Sequence, residues 1–475
     1  MSKQPKLSAG DRIASLLDDS SFVEIGAYVT ARSTDFNLQE QETPADGVMT
    51  GYGTIDGRLV YVYSQDAGVL GGSIGEMHAK KIAKVYDMAM KMGAPVIGLV
   101  DCAGLRLQEA MDSLYAFGTI YLKQAMASGV VPQITGIFGV CGGGGALIPA
   151  MSDFTFMVRD QARLFVNSPN ALDGNYVEKL DTSAASYLEA DSALVDEVLE
   201  DDLSVLGRIR QMVGLLPSNC EDDSQITECT DDLNREIPGL DSLCMDARAV
   251  LTHIADNNEF VELKKEYAKD MVIGFIRLNG NTIGCVANQG ADGGELLSTA
   301  GAYIAAEFVN FLDAFDIPVL SLTNVKGYQA TISEEKTIAK AAAKLTYAFA
   351  NATVPKVNLV MKNATGSAGL AMNAKAVGAD LEFAWPDAVM GTMEPEQAVK
   401  IMYAGEISKG GLDKAKLAEM KADYIRKMSG AQAAARRGYV DDIIDSAATR
   451  KRLIAAYEML YTKEEVRPFK KHGAV

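Results

Sequence analysis

Four consecutive glycines lie within Gly139–Ala146, which reads Gly-Val-Cys-Gly-Gly-Gly-Gly-Ala. A hydrophobic run, 131–138, precedes this stretch, and the apolar segment 146–151 follows it. The pattern predicts a short buried strand, a glycine turn and the first turn of an apolar helix. Glycine permits backbone conformations that are closed to other residues and lets a ligand approach the main chain. N–H groups at such a turn, next to a helix N-terminus, can stabilise developing negative charge.

The glycine stretch is therefore a candidate oxyanion hole. Taken alone, it is also typical of a tight strand-to-helix crossing that has no chemistry. Other chemistries have few candidates, because the three histidines, His78, His253 and His472, do not lie beside a nucleophile-elbow motif. The six cysteines show no CxxC pair and no metal-ligand spacing, so we predict reduced thiols and no metal site.

Length and charge restrict the class of protein further. A chain of 475 residues exceeds one ordinary core, so we expect two domains of about 200 residues or more. The net charge is −18 and no basic cluster occurs, so nucleic acid is not expected as a partner. Residues 1–10 lack the apolar core of a signal peptide, and no apolar run reaches the roughly 18 residues of a membrane span. The sequence predicts a cytoplasmic protein.

The elements predicted around the glycine turn alternate between strands and helices, as in a βαβ unit. A hairpin is predicted across Asp56-Gly57, followed by the glycine-rich loop 68–75. The helix 76–92 comes next, and a buried strand begins at Pro95.

The same landmarks recur in the second half at an offset of 223 residues. Position 57 matches 280, 95 matches 318, and 132 matches 355. The same shift carries Gly143-Gly144 onto Gly366-Ser367. The chain is therefore predicted to contain two copies of one domain, 1–220 and 242–475, joined by an acidic linker, 221–241.

Two related glycine turns suggest a site with two oxyanion holes. One would stabilise the enolate of a thioester, and the other an enolate-like form of a second carbonyl compound. Both need preorganised N–H donors more than titratable side chains, which fits the scarcity of histidine.

In the segments of both halves given below, the sequence resembles the biotin-dependent acyl-CoA carboxyltransferases. That family includes the β subunits of propionyl-CoA carboxylases, the transcarboxylase large subunit, and the carboxyltransferase subunits of methylmalonyl-CoA and glutaconyl-CoA decarboxylases. The resemblance runs from about Leu7 to about Leu460. The segments that carry it are Asp46–Gly57, Leu70–His78, Asp101–Glu109, Gly139–Phe154, Lys269–Phe275, Val286–Gln289, Ala352–Lys356 and Ala388–Gly391.

The resemblance implies an α/β fold with two tandem crotonase-like (ClpP/crotonase) domains related by internal duplication. It also implies a homo-hexamer, a trimer of dimers, in which the first domain of one protomer faces the second domain of another. Acyl-CoA would bind the N-terminal domain and biotin the C-terminal domain. The donors of the two holes would be Gly143 with Gly144 and Ser367 with Ala368. The residues expected to contact the coenzyme A ester or biotin are Gly71, Gly72, Ser73, Arg106, Gly142, Gly366 and Leu370.

The mechanism implied by the resemblance uses the cofactor as the base. Carboxybiotin loses CO2, its ureido nitrogen takes the α-proton of the acyl-CoA, and the enolate attacks CO2; the reverse direction decarboxylates. Lys91 lies in Ala89-Met-Lys-Met92, a tetrapeptide of the kind that carries biotin, but it is predicted inside a helix. The resemblance therefore implies a separate biotin carboxyl carrier protein, with biotin carboxylase or decarboxylase-pump subunits as further partners. Association with a membrane would come only through those subunits.

The sequence departs from the family pattern in four places. Asn324–Gln329 replaces the usual proline- and glycine-rich loop, Ser367 stands at the second glycine of the C-terminal pair, and Leu370 stands at a frequently acidic position. In the first half, Asn170–Asn175 replaces the usual Thr-Gly-Glu segment. These differences lie where biotin would sit and where acyl chains would be selected.

Three hypotheses follow. The favoured one is a carboxyltransferase subunit acting on a short-chain acyl-CoA, propionyl- or methylmalonyl-CoA, with a separate biotin carrier. The second is a crotonase-type hydratase, isomerase or hydrolase that uses one thioester hole and a nearby carboxylate, for which Glu109 is the candidate. The third is a non-catalytic scaffold of a carboxylase complex.

Overall fold

A computed structural model of the chain describes residues 6–32, 36, 38–222, 226–407 and 414–468. The chain divides into two compact units, Met1–Gln225 and Ile226–Val475. Residues 223–225 of the predicted linker, and His472, lie outside the described residues.

The first unit contains one eight-stranded mixed sheet with the order β1-β2-β3-β4-β5-β6-β8 and with β7 paired to β5. Strands β1 to β3 pair antiparallel, and the remaining pairs are parallel. The strands are β1 Val23–Glu24, β2 Val48–Ile55, β3 Arg58–Gln65, β4 Val96–Cys102, β5 Gln133–Gly142, β6 Phe154–Val158, β7 Arg163–Phe165 and β8 Glu197–Leu199. The helices are α1 Ala9–Leu16, α2 Glu76–Met92, α3 Met111–Ala127, α4 Leu147–Ala150, α5 Asn175–Glu178, α6 Ala185–Asp191 and α7 Asp202–Leu215.

The second unit contains an eight-stranded sheet with the order β9-β10-β11-β13-β15-β16-β18, with β17 paired to β15, and a small sheet of β12 and β14. The strands are β9 Phe260–Leu263, β10 Met271–Leu278, β11 Asn281–Asn288, β12 Leu296–Leu297, β13 Val319–Val325, β14 Gly327–Tyr328, β15 Lys356–Thr365, β16 Leu381–Ala384, β17 Val389–Gly391 and β18 Asp442–Ile443. The helices are α8 Ala247–Ile254, α9 Gly290–Gly293, α10 Thr299–Ala314, α11 Ile332–Glu335, α12 Ile338–Asn351, α13 Gly366–Ala371, α14 Pro395–Met402, α15 Ala404–Ile407, α16 Lys414–Tyr424, α17 Ala431–Ala435 and α18 Thr449–Leu460.

The two large sheets are equivalent strand by strand. Strands β2, β3, β4 and β5 begin and end 223 residues before β10, β11, β13 and β15, respectively. The hairpin turns agree in conformation as well, because Asp56-Gly57 and Asn279-Gly280 all have positive φ. In the first unit Asp18 accepts the N–H groups of both turn residues, at 3.0 and 2.9 Å. In the second unit Asp256 does the same for its turn, at 3.1 and 2.7 Å.

The predicted helix 76–92 is confirmed as α2, and local chemistry explains both ends. Gly75 precedes it in an extended conformation, and Gly93 ends it with a left-handed φ of +60°. Its buried face includes Ile82, Val85 and Ala89, which pack toward the sheet. Lys91 therefore lies in a regular last helical turn, where a basic residue complements the helix dipole.

The division between the two units, after Gln225, falls within the predicted linker 221–241. Ile237 and Leu240, inside the range 221–241, are buried in the hydrophobic core of the second unit. Asp231, in the same range, accepts hydrogen bonds from Arg235 and contacts buried Arg450 at 3.6 Å. Ile226 and Leu233 in the same range are 53 % and 36 % exposed, so only part of this acidic segment packs into the second unit. Of the described residues, no helix is both long and apolar enough to cross a membrane.

One buried carboxyl in the second sheet makes stability depend on pH. Glu382 on β16 is only 2 % exposed and accepts the Lys375 N–H at 2.6 Å and the Asn358 amide at 3.3 Å. Burial raises the pKa of Glu382 to about 7, because the hydrogen bonds offset only part of the lost hydration. The folded state therefore holds a proton that the unfolded chain releases above pH 4.5. Its stabilising effect is complete below pH 4.5 and is lost as pH rises through 7.

We predict that Glu382→Gln removes this pH dependence. As pH rises from 4.5 to 8, wild type should lose on the order of 3 kcal/mol of unfolding free energy through this carboxyl. The variant has no such carboxyl and should not show this loss. Urea unfolding measured at several pH values tests this, with exposed Glu335→Gln as the matched control. A constant difference between variant and wild type across that range would contradict the raised pKa.

Candidate functional site

The first glycine turn begins where β5 ends. Gly143 has a φ of +60°, and the chain then forms a 3-10 turn over Gly143–Ala146. A Cβ on Gly143 would meet no atom within 4 Å, so this position is open. The Tyr121 hydroxyl donates to the Gly144 carbonyl at 2.6 Å and fixes the peptide between Gly144 and Gly145. Because that peptide is planar and trans, the Gly145 N–H points away from Tyr121.

The second turn has the same construction. Strand β15 ends at Thr365, Gly366 has a φ of +62°, and α13 follows at once. This turn lines a cavity of about 460 Å³. The structure thus brings three predicted residues, Gly366, Ser367 and Ala368, into one cavity. Leu370 is 49 % exposed and does not line it.

The predicted donor pairs are not at equivalent positions in the two units. The 223-residue offset pairs Gly143 with Gly366 and Gly144 with Ser367, so Ala368 corresponds to Gly145. In both units these residues occupy the first helical turn, where N–H groups have no acceptor within the helix. Either neighbouring pair therefore offers main-chain donors, and the assignment of pairs stays a prediction.

The glycine loop of the first unit packs beside the first turn through the segment after β4. Gly72 has a φ of +65°, and a Cβ there would overlap the Asp101 carbonyl oxygen. The Gly71 carbonyl accepts the Ala103 N–H at 2.9 Å, and Ile74 donates its N–H to the Gly104 carbonyl at 2.9 Å. A Cβ on Gly104 would in turn lie 3.2 Å from the Gly142 carbonyl oxygen. The loop at Gly71 and Gly72 therefore contacts segment 101–104, which in turn approaches Gly142 at the start of the first turn.

Arg106 was expected to contact the coenzyme A ester, but the structure places it in the interior of the first unit. Its side chain is fully buried and pairs with Asp46 at 2.5 Å and Glu109 at 2.8 Å. It also donates to the Ser73 carbonyl at 2.7 Å. Arg106 therefore binds the loop from the interior of the first unit. Its guanidinium is not exposed for the expected contact with the coenzyme A ester. Sequence spacing could not reveal this, because Asp46 is 60 residues away.

The rest of this buried cluster is also committed to structure. Burial raises the pKa of Asp46, and the charge of Arg106 opposes that shift. Burial and the charge of Arg106 lower the pKa of His78 to about 3, so this imidazole is neutral. Glu109, the candidate carboxylate of the hydratase hypothesis, also accepts the Glu76 N–H at 2.6 Å. Both of its carboxylate oxygens have partners and its side chain is fully buried, so it is not presented to a ligand.

Three side chains beside the second turn were missed as site residues. Lys326 and Glu394 line the cavity, and buried Glu295 contacts Lys326. Repeat comparison could have indicated Glu295, because the 223-residue offset places this acid at the position of Gly72. Of the described residues, no group of three or more His, Cys, Asp or Glu is arranged to hold a metal ion.

Comparison with known proteins agrees with this arrangement. The family model for the carboxyl transferase domain matches residues 2–475. The chain is 41 % identical over 481 residues to the propionyl-CoA carboxylase beta chain of Roseobacter denitrificans, covering 99 % of this chain and 94 % of that one. It is 39 % identical over 482 residues to methylmalonyl-CoA decarboxylase subunit alpha of Propionigenium modestum, covering 99 % and 93 %. The transcarboxylase 12S crystal structure, a hexamer with methylmalonyl-coenzyme A bound, superposes with a TM-score of 0.94 at 36 % identity, over 98 % of this chain and 92 % of that one.

The chain belongs to the carboxyl transferase domain family. Within it, the relatives are carboxylase beta chains and decarboxylase alpha subunits, so the predicted enzyme class is confirmed. The predicted fold class, two tandem crotonase-like domains related by duplication, is also confirmed.

The left-handed loop glycines support a stability prediction. Gly72→Ala should lower the unfolding free energy by about 3 kcal/mol, because a strained φ adds to overlap with the Asp101 carbonyl. Gly57→Ala has a similar φ but open space around the new methyl group, so about 1 kcal/mol is expected. Urea denaturation midpoints measure both. Equal losses would contradict the close approach of the loop to β4.

Removal of Arg106 should unfold the loop rather than only weaken ligand binding. Arg106→Met leaves Asp46 and Glu109 buried without their cation, at a cost of about 3–5 kcal/mol. Arg159→Met, which removes a partly exposed pair with Glu200, should cost less than about 1 kcal/mol. Thermal unfolding provides the measurement, and similar losses in the two variants would refute the buried cluster.

Proposed function

We propose that this chain is the carboxyltransferase subunit that moves a carboxyl group between biotin on a separate carrier protein and the α-carbon of a short-chain acyl-CoA. Propionyl-CoA and methylmalonyl-CoA are the preferred acyl pair, because the relatives at about 40 % identity are named for these substrates. The observation that carries the proposal is the duplicated turn, in which a left-handed glycine follows a parallel strand in each unit.

The first unit is the proposed acyl-CoA side. Gly143 and Gly144 would direct N–H groups at the thioester oxygen, where charge develops as the α-carbon loses its proton. Tyr121 restrains the following peptide, between Gly144 and Gly145, and so limits movement of the turn that carries the two donors. Gly71, Gly72, Ser73 and Gly142 would border the path of the coenzyme. Glycines suit that role because a bulky ligand can lie close to their main chain.

The second unit is the proposed biotin side, and its cavity fits a neutral urea. Main-chain donors at Ser367 and Ala368 could bind the ureido oxygen, while Tyr328, Thr365 and Gln397 add polar groups around it. Biotin, when bound, supplies the ureido nitrogen that carries the carboxyl group and takes up the α-proton. The residues of this chain bind and orient that ring and hold the oxygen on which charge accumulates. Gly366 provides the sharp change of direction that points the donors into the cavity.

Assembly is part of the proposal. A homo-hexamer, a trimer of dimers, would place the first unit of one protomer opposite the second unit of another. The partners are a biotin carboxyl carrier protein and a biotin carboxylase or decarboxylase-pump subunit, and the location is cytoplasmic. The domains 1–220 and 242–475 serve as the acyl-CoA and biotin sides. The direction of the reaction depends on those partners.

The hydratase hypothesis has less support. It needs a free carboxylate beside the first turn, and Glu109 is bound to Arg106 and to the Glu76 N–H. The scaffold hypothesis rests on the altered segment Asn324–Gln329. The cavity bordered by part of that segment retains main-chain donors and polar side chains, which favours catalysis.

Loss of a single main-chain donor should abolish most of the activity. Gly143→Pro is a poor test, because proline cannot adopt the φ of +60° found there. Ser367→Pro deletes an N–H in a first helical turn that accepts proline, whereas Ser367→Ala keeps it. Gly144→Pro and Gly144→Ala form the corresponding pair in the first unit.

We expect each proline variant to lose about 10²–10³-fold in kcat relative to its alanine partner. The assay is exchange of labelled carboxyl between methylmalonyl-CoA and free biotin. Hydration of an enoyl-CoA without biotin would instead favour the second hypothesis. Folded proline variants that exchange carboxyl at the alanine rate would contradict the role of these donors.

A further inference from the structure

Glu295 stands in an unfavourable backbone conformation beside the second-unit cavity. Its φ is +63°, and only 7 % of the residue is exposed. Gly72, 223 residues earlier, has almost the same φ, +65°. Glycine adopts this conformation freely, whereas a glutamate is strained there. Strained and buried acids persist where the surroundings hold them, and they are concentrated at functional sites.

The contacts of Glu295 converge on one cation. Its carboxylate lies 2.5 Å from the Lys326 ammonium, and its carbonyl accepts the Lys326 N–H at 2.8 Å. Asn363 donates to the other carboxylate oxygen at 2.9 Å, which fixes the acid from the opposite side. Lys326 is thus held at both its main chain and its side chain.

Lys326 lines the cavity and is 34 % exposed at its side chain. An ammonium has three donor hydrogens, and Glu295 uses only part of that capacity. Glu394, across the cavity, lies 3.7 Å from it, which is beyond hydrogen-bond distance. The hydrogen bond that Lys326 donates to the Glu295 carboxylate raises the pKa of Lys326, so the cation persists at neutral and mildly alkaline pH.

We propose that Lys326 binds the carboxylate of the group being transferred and that Glu295 is its positioning residue. The ligand class is a small molecule carrying a carboxylate on a neutral ring, here an N-carboxylated urea. The ligand carboxylate would accept hydrogen bonds from the Lys326 ammonium on the side that faces Glu394, which lies 3.7 Å away and leaves those donors available. This inference rests on the proposed biotin side of the second unit and deepens it by naming the cation that distinguishes loaded from unloaded cofactor.

The charge balance around the cavity is consistent with this role. Lys362 lies 3.6 Å from the Glu295 carboxylate, so two cations share that acid. Glu394 forms a looser ion pair with Lys326 at 3.7 Å, so the two lysines balance the two glutamates and no net negative charge opposes an incoming carboxylate. Since charge-assisted hydrogen bonds are stronger than neutral ones, a carboxylate should bind more tightly than an uncharged group of the same shape.

The test compares a charged ligand with its neutral analogue on the full chain. Calorimetric titration at pH 8 would use three probes: free biotin, N1′-carboxybiotin and the neutral N1′-methoxycarbonyl ester of biotin. Wild type should bind the carboxylate about tenfold more tightly than the ester. Lys326→Met should abolish that preference while affinities for biotin and the ester change less than about twofold. Lys326→Arg should retain most of the preference, and exposed Lys336→Met is the matched control.

The positioning role has its own readout. Glu295→Gln keeps the shape of the acid but loses its charge, so Lys326 is less firmly placed and the preference should fall severalfold. A purely structural role for Glu295 would change the unfolding midpoint and leave the ratio of the two affinities intact.

The outcomes separate this inference from the proposed function. If wild type binds biotin and both derivatives equally, or if Lys326→Met keeps the preference, the role of Lys326 is refuted and the biotin side stands. If wild type binds none of the three probes, the biotin assignment fails and the role of Lys326 fails with it.

Discussion

The structure depends on one conformational constraint, a left-handed glycine at the carboxyl end of a central parallel strand. At Gly143 and Gly366 the chain leaves β5 and β15 and enters a helical turn within one residue. A side chain at such a φ is strained, so glycine makes the crossing short. The short crossing places the N–H groups of a first helical turn at the carboxyl ends of the central strands, where a ligand can accept hydrogen bonds from them. Chemistry that needs only main-chain donors follows from this geometry.

The two units share this backbone but use charge in opposite ways. In the first unit Arg106 is enclosed by Asp46 and Glu109, and the cluster stiffens the loop that carries Gly71 and Gly72. In the second unit Glu295 occupies the position of Gly72 and holds Lys326 against an open cavity. Duplication thus preserved the turn, while the residues around it diverged into a closed structural cluster and a charged cavity wall. The neutral His78 belongs to the closed cluster, which explains why a scarce histidine is not catalytic.

Local sequence patterns predicted much of the fold. The helix 76–92, the hairpins at Asp56-Gly57 and Asn279-Gly280, and the 223-residue repeat all agree with the structure. Each depends on periodicity or on residues that are neighbours in the chain. Sequence spacing did not predict the burial of Arg106 against Asp46 or the partial packing of the linker. Composition marked 221–241 as solvated, yet Ile237 and Leu240 reach a core built by distant strands.

The sequence by itself determined the duplication, the βαβ pattern and the two glycine turns, since backbone torsions and hydrophobic spacing are encoded within a few residues. Only the tertiary structure decided which charges are buried and which face a cavity. Arg106 meets Asp46 across 60 residues, and Glu295 meets Asn363 across 68. Ion pairs and hydrogen bonds over such separations depend on how strands are placed side by side, and a charge in the chain has no fixed partner until those strands pack.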